Sequence, residues 1–470
     1  MPSFVNWSNP LCNALITDAG EEVTYGQLQN DVFSLLHLFK NGELIFIVGK
    51  NDLTTVQVYL AAIEAGAVPL LLGGDISSIN LFSFIDLYNP SKILINKNKV
   101  NFSNGYKSSF EIDDYFLYSK KDGVGADLNS GLALLLATSG STGSPKLVRF
   151  SLNNIISNAD SIVEYLGIDQ NERAITTLPF NYSYGMSVLN SHLRAGASIV
   201  LTERTFFDPS FWRSVKTNGV TSMAGVPFNY EMLLKLRFER MDLPQLRTLT
   251  QAGGKMSVAQ TQRVVEICKA KGMRFYTMYG QTEASPRMAF LSPEFTEAKI
   301  GSIGRAIPGG RLWLEDDQGA VISSHSQIGE LVYSGPNVAL GYALNQEDLM
   351  RGDDWCGVLH TGDLAREDEE GFFFIEGRKQ RFLKIFGVRI SLDAVESWFA
   401  EKEIVAAAHG RDDHLMVSIE CLDNAQLEVE VKALANAMQI HPSALKISIF
   451  ESLPRLNSGK VDYQCLNKTH

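Results

Sequence analysis

The sequence predicts an α/β protein: a large N-terminal domain of parallel sheets with a β-barrel-like part, followed by a small α+β C-terminal domain. Three observations predict it. Short apolar bursts alternate with amphipathic stretches as far as Gly301, the texture then changes to short strands bounded by Gly, Asp and Pro, and a compact mixed block follows Gly377. Parallel strands are covered on both faces and read as continuous apolar runs, with crossover helices between them.

Residues 44–48 form the first burst; an amphipathic stretch through Leu60, Ile63 and Ala67 and a second burst at 68–72 follow. Residues 93–95, 132–137, 199–201, 246–249 and 275–278 repeat the strand pattern, and 151–166 carries helical periodicity. Beyond Gly301, residues 312–314, 329–334 and 371–375 read as antiparallel or barrel-like strands. Past Gly377 come a helix at 392–400, strands near Val405 and at 415–419, a helix at 427–438 and a strand at 446–450. No fixed-period repeat or low-complexity tract interrupts them.

A chain of 470 residues exceeds a single hydrophobic core, so at least two domains are expected. Its 45% hydrophobic and 20% charged residues are those of an ordinary globular protein. A net charge of -11 gives no basic footprint for nucleic acid or an anionic membrane. The five cysteines (Cys12, Cys268, Cys356, Cys421, Cys465) form no C-x-x-C pair, which argues against a zinc site or a disulfide framework and fits a reducing cytoplasm. Residues 1–19 lack a basic region followed by an apolar run, and no apolar stretch approaches a bilayer-spanning length.

The strand-like 132–137 runs directly into Thr138, Ser139, Gly140, Ser141, Thr142, Gly143, Ser144, Pro145 and Lys146. Small residues let backbone N–H groups and hydroxyls crowd around phosphate oxygens, and Lys146 adds a fixed positive charge. A flexible Ser/Gly loop is the alternative, though such loops rarely end in Pro-Lys. A Walker-type NTPase loop fails on two residues: Pro145 stands where glycine is needed, and Leu147 where a magnesium-binding hydroxyl should follow the lysine.

This loop resembles the signature of the adenylate-forming superfamily, which includes acyl-CoA synthetases, luciferases and peptide-synthetase adenylation domains. Tyr279-Gly280-Gln281-Thr282-Glu283 is similar to its Y-G-x-T-E segment, His360-Thr361-Gly362-Asp363 to its T-G-D segment, Gly377-Arg378 to its hinge entry, and Asn457-Ser458-Gly459-Lys460 to its terminal lysine motif. Weaker matches fill the intervals, among them Thr24-Tyr25-Gly26, Leu178-Pro179-Phe180, Gly301 to Arg305, Gly329-Glu330-Leu331 and Lys384 to Ile390. Because they keep the family's order across nearly the whole chain, the coincidences multiply.

The resemblance implies an N-terminal domain of residues 1–379 and a mobile C-terminal domain of residues 380–470. It implies activation of a carboxylic acid by ATP with Mg²⁺, release of pyrophosphate, and transfer of the acyl group to a thiol, either CoA or the phosphopantetheine of a carrier protein. No carrier attachment motif follows the terminal lysine, so the acceptor is expected to be a separate molecule. By the same resemblance, 138–146 holds the β- and γ-phosphates, Thr282 contacts the α-phosphate, and Glu283 helps to bind Mg²⁺, a hard cation that prefers carboxylate oxygen. Lys460 reaches between the acid's carboxylate and the α-phosphate. Tyr279 packs on the adenine, Gln281 lies beside it, Gly253, Gly254 and Gly280 let backbone approach the ligands, Asp363 accepts from the ribose hydroxyls, and Arg378 contacts the ribose and phosphate region. Lys384 and Gly387 serve the thioester step.

Plainer readings stand beside these roles. Glu283 also suits a helix cap, Tyr279 a core aromatic, Gly253-Gly254 and Thr361-Gly362-Asp363 ordinary turns, and Lys460 a surface lysine. The acyl pocket, by family position, takes Tyr182, Tyr184, Gly185, Met186 and Val226. No Asp or Glu lies between Leu178 and Leu201, which suits a plain or hydroxylated acid better than an α-amino acid. Two departures are visible: Gln380 stands at the hinge position, usually Asp or Lys, and Tyr182 where many acyl-CoA synthetases carry His. A non-catalytic acyl-nucleotide sensor and a luciferase-like oxygenase are the competing functions on this fold.

Overall fold

The apolar burst Leu44–Gly49 is buried along its length and pairs in parallel with Val68–Gly73 on one side and Lys92–Asn96 on the other. The computed structural model describes residues 4–99, 105–137, 146–379, 381–386, 388–402, 404–420, 424–438, 440–456 and 461–468. Among these, one sheet of eight strands contains that parallel core and one of thirteen contains a second. In the second, Arg173–Ile175, Ser222–Gly225, Thr248–Gln251 and Arg274–Tyr279 run parallel in register, which aligns their C-terminal ends along one edge of the fold.

Between the two sheets lie the helices Tyr25–Leu35, Leu53–Glu64 and Ser183–Ala195, in one hydrophobic cluster with Leu15 and Ile199 from the larger sheet and Ile47 and Phe150 from the smaller. Leu53–Glu64 buries nearly every residue, as a helix covered from both sides must. It starts at Asp52, whose side chain accepts from the Thr55 N–H. The outer face of the larger sheet packs on Pro209–Thr217, Pro227–Lys235 and Val258–Lys271.

The expected texture change is present but begins earlier. After Tyr279 the chain turns back at once, so Ala289–Leu291 pairs antiparallel with Arg274–Tyr279, ahead of Gly301. The antiparallel strands then extend the same sheet through Ser302–Ala306, Phe373–Arg378, Val358–Glu367, Gly329–Ser334 and Arg311–Glu315, with register shifts at Ser302/Gly304, Glu330/Val332 and Leu364/Ala365. Such bulges bend a sheet, which gives this part its barrel-like character. The strand expected at 246–249 is Thr248–Gln251, because Leu246 is buried in the preceding turn. Residues 382–468 hold a cluster of their own around Ile385, Val395, Phe399, Val417 and Leu434. There Ala406–Arg411, His414–Glu420 and Leu445–Phe450 form a three-stranded sheet.

One crossing ties the two large sheets together. Gly341–Ala343 leaves the larger sheet's chain path and pairs antiparallel with Leu147–Phe150 at the edge of the smaller sheet. Arg149, fully buried, fastens it: Nε donates to the Tyr342 carbonyl at 3.1 Å, Nη1 to Gly352 O at 2.9 Å, Nη2 to Leu340 O at 3.2 Å, and Nη2 also pairs with Asp354. Removing one partner of a buried charge pair typically costs about 3–5 kcal/mol, since the other charge and its acceptors are left stranded. Arg149→Met should lower stability by roughly that amount in urea unfolding, against a change near zero for a surface arginine. A loss under about 1 kcal/mol would show that the crossing does not depend on the guanidinium.

Candidate active site

Gly225, Gln251 and Tyr279 end three adjacent parallel strands, so the loops that follow converge on one crevice. Open α/β sheets bind ligands at this edge. From here the chain makes the single turn Thr282–Ala284. Thr282 Oγ1 lies 3.0 Å from Ser183 Oγ, at the start of the helix Ser183–Ala195. The Y-G-x-T-E segment and the acyl segment are thereby joined at one hydrogen bond.

Glu283 is positioned by a residue the sequence reading overlooked. Tyr342 donates its phenolic hydrogen to Glu283 Oε1 at 2.6 Å, and the Lys146 ammonium lies 3.6 Å from the centre of the same ring. Burial and the adjacent carboxylate push the Tyr342 phenol far above its ordinary range, so it remains a donor. The strand pairing Tyr342↔Val148 fixes the ring beside the end of the phosphate-loop segment. One tyrosine therefore orients both the cation expected at the phosphates and the carboxylate expected at the metal. Residues 138–145 lie outside the described residues, as do Gly387 and Lys460.

Asp363 and Arg378 are cross-strand partners, with Arg378 Nε 3.0 Å from Asp363 Oδ1. The other carboxylate oxygen accepts from the Tyr279 hydroxyl and, at 3.0 Å, from Gln281 Nε2, which also donates to Thr361 O at 2.9 Å. Burial pushes the Asp363 carboxyl up, while Arg378, Tyr279 and Gln281 pull it back. Tyr279 thus has a polar role in addition to offering its ring, and burial and Asp363 hold its phenol well above the ordinary range. A carboxylate has about four acceptor positions. Three are taken, so binding a diol here requires at least one of the protein donors to let go.

The glycines divide by geometry. Gly253 has φ +81°, and a Cβ there would lie 2.4 Å from the Tyr182 hydroxyl and 3.1 Å from Val226. A Cβ at Gly280 would fall 1.7 Å from Pro286 O, and one at Gly185 2.3 Å from Pro179 O. Gly254 is freer, meeting only the Pro227 ring at 3.1 Å.

Tyr182, Tyr184 and Val226 share one cluster with Met278 and Ala252, on the face of the sheet toward the crevice. Burial pushes the Tyr182 phenol up to about 12. Tyr184 is fully buried and donates to Thr250 O at 2.8 Å, so it forms wall and offers no free hydroxyl. Met186 is a correction. Two residues further along the helix it faces the opposite way, into the core between the sheets with Leu189 and Leu193, and does not line this pocket. Lys384 is exposed on the small C-terminal sheet pair, its N–H bonded to Asp412, and stands apart from the crevice cluster.

Arg287, also overlooked, follows the Y-G-x-T-E segment by four residues. It is 3% exposed, its guanidinium stacks 3.8 Å from the Tyr184 ring centre, and its Nε has no hydrogen-bond partner among the described residues. The available signal was its place as the single charge in the run Met288-Ala289-Phe290-Leu291 that it opens. Arg455 stacks 4.8 Å from the ring centre of Phe228, which brings the chain just before the terminal lysine motif against the acyl segment.

The chain is similar in sequence to curated proteins and in fold to solved structures. The chain is 29% identical over 404 residues to a 2-succinylbenzoate–CoA ligase of Bacillus cereus (strain AH820), covering 83% of this chain and 80% of the relative. It is 26% identical over 482 residues to the ligase of that name from Listeria monocytogenes, covering 98% and 97%. The fold matches the AMP complex of O-succinylbenzoate coenzyme A synthetase from Bacillus subtilis with TM-score 0.78, 24% identity and 97% coverage of both chains. It matches ATP-bound MatB from Rhodopseudomonas palustris with TM-score 0.78, 21% identity and 98% and 96% coverage. The model of AMP-binding enzymes matches residues 9–343, well over half of the sequence, and the chain belongs to that family.

Proposed function

We propose that this protein joins a carboxylic acid to AMP at the expense of ATP and passes the acyl group to the thiol of CoA. The observation that carries the reading is the convergence of Lys146, Glu283 and Thr282 through Tyr342 and Ser183, opposite the Asp363–Arg378 pair. The relatives named as CoA ligases support the thiol acceptor. A solved relative from Bacillus subtilis holds ATP and a magnesium ion, which supports the cosubstrate and metal.

A carboxylate oxygen attacks the α-phosphorus in line and pyrophosphate leaves. The protein's part is positioning and electrostatic stabilisation. Lys146 faces the β- and γ-phosphates, Thr282 the α-phosphate, and Asp363 the ribose after yielding one of its donors. Glu283, with one carboxylate oxygen taken by Tyr342, would hold magnesium through the other, and the ion would supply charge neutralisation on the phosphates. Lys460 bridges the acid's carboxylate and the α-phosphate, and Lys384 and Gly387 act in thioester formation when the C-terminal region, residues 380–470, turns.

Exchange of labelled pyrophosphate into ATP should require Mg²⁺ and a carboxylic acid, with 2-succinylbenzoate the first to try, and CoA should then give a thioester. No exchange with any acid, and no ATP binding by calorimetry, would sink the reading. Lys460→Ala should slow adenylation by roughly two to three orders of magnitude, while a supplied acyl-adenylate restores thioester formation. Equal slowing of both half-reactions would exclude that role.

Tyr342→Phe keeps the ring beneath Lys146 and removes the bond to Glu283. A hydrogen bond to a charged group contributes about 1.5–3 kcal/mol, so the magnesium concentration for half-maximal rate should rise roughly tenfold or more with kcat at saturating metal retained. An unchanged magnesium titration would remove Glu283 from the metal site.

A further inference from the structure

The stretch that carries Lys460 in sequence is tied down at both ends. The Leu453 N–H donates to Glu420 Oε1 at 2.8 Å, and the Asp462 N–H reaches back to Pro454 O at 2.7 Å. Arg455 and Val461 pair as an isolated antiparallel bridge, so the two ends are held side by side. Just beyond, the Tyr463 hydroxyl donates to Glu396 Oε1 at 2.7 Å, and the same carboxylate holds Arg381 next to the junction. These contacts all lie within the C-terminal part. They join the ends of the stretch to one another and leave its placement over the crevice to whatever reaches across.

Arg455 reaches across. Its guanidinium carbon lies 4.8 Å from the centre of the Phe228 ring, and Nη2 lies 3.5 Å from Glu420 Oε1. A planar cation can offer its edge to a carboxylate and its face to a ring at the same time, which an ammonium on a flexible stem does less well. The side chain is 21% exposed, so the stack is partly desolvated and correspondingly stronger.

Phe228 is a rigid platform for it. The residue follows Pro227 at the start of the helix Pro227–Lys235, where Asn229 Oδ1 accepts from the Val226 N–H at 2.9 Å and closes the turn. The ring packs with Val226 and Tyr182 in the crevice cluster and also against the cluster on the outer face of the larger sheet. A ring held by two clusters does not follow the cation; the cation has to come to it.

We propose that Arg455 is a positioning residue for adenylation: stacked on Phe228, it sets the stretch carrying Lys460 against the wall of the acyl pocket. The proposal rests on the acid-activation reading and adds to it the contact through which the terminal motif and the acyl wall are brought into register. Arg455 is assigned no contact with ATP or the acid, and serves only the arrangement in which the reacting groups are stabilised. Its loss therefore belongs in kcat, with both KM values nearly unchanged.

The test uses the full-length protein and an acid that supports pyrophosphate exchange, and compares wild type, Arg455→Gln, Arg455→Lys, Phe228→Leu and the double variant Arg455→Gln/Phe228→Leu. Thermal melting verifies folding. Arg455→Gln should lower kcat about five- to twentyfold with the KM for acid and ATP within about twofold, and Arg455→Lys should recover part of the loss. Phe228→Leu should reproduce the fall in kcat, and the double variant should be no slower than the worse single one, as for two halves of one contact. If Arg455 acts only inside the C-terminal sheet, through Glu420, then Phe228→Leu keeps its kcat or the two losses multiply; either result overturns the proposal, and so does a loss confined to KM. Trypsin cleavage after Lys460, followed by mass spectrometry, reads the seating without turnover. It should be several-fold faster in Arg455→Gln and in Phe228→Leu than in wild type, and equal rates overturn the proposal. If no acid supports exchange, the acid-activation reading fails, and the same cleavage rates decide whether the stack seats the stretch.

Discussion

The segment 335–343 must carry its backbone from one sheet to the other without a strand ladder for most of its length, and its buried polar groups need partners from side chains. Asn154 Nδ2 donates to Pro336 O and Val338 O, both at 2.8 Å, and Arg149 takes the carbonyls of Leu340 and Tyr342. Asn337, 2% exposed, works in the reverse direction, donating to Ala284 O at 2.7 Å and Arg287 O at 2.8 Å while accepting from Tyr333. Ser285 Oγ returns a bond to Asn337 O. The strap thereby holds the segment containing Thr282, Glu283 and Arg287 at one end and Tyr342 at the other. The geometry of the crevice is a consequence of satisfying these buried amides and carbonyls.

Two kinds of contact follow from that rigidity. Those at Glu283 leave room for a further partner, because Tyr342 occupies one carboxylate oxygen. Those at Asp363 leave little, because Tyr279, Gln281 and Arg378 already crowd a buried carboxylate. Burial strengthens each of these bonds and equally raises the cost of leaving the group unmatched. Asp363 is therefore compensated by its own neighbours, and any hydroxyl pair that binds there has to displace one of them.

Much of this was legible in the sequence where the signal is local. The runs read at 44–48 and 275–278 do fall in parallel strands, Leu44–Gly49 and Arg274–Tyr279, and the Y-G-x-T-E segment does sit at a strand's C-terminal end. Family position did not separate Met186 from its neighbours: nearly every residue of 183–193 is buried, polar ones included, so the pattern of that segment does not say which residues face the crevice. Tyr342 and Asn337 were illegible for a different reason. Their partners, Glu283 and Arg287, lie 59 and 50 residues earlier, and only the return of the strap to the first sheet brings them together. Arg287 was readable as a charge at the head of an apolar run, but that it forms no ion pair among the described residues is a property of the fold alone.

The residues on either side of position 380, where the sequence departs from the family's pattern, are anchored in opposite directions. Lys379 Nζ donates to Glu330 Oε2 at 2.9 Å, on the antiparallel part of the large sheet. Arg381 is held on the other side, by Asp393 and by Glu396 at 2.7 Å, and lies 4.6 Å from the ring centre of Tyr463. Gln380, between these two anchored residues, lies outside the described residues. One cross-bond spans the junction: the Arg378 N–H donates to Asp393 at 2.7 Å. Parting residue 378 from residue 393 would give up that bond, whereas the carboxylates that hold Arg381 lie on its own side of the junction and would stay with it.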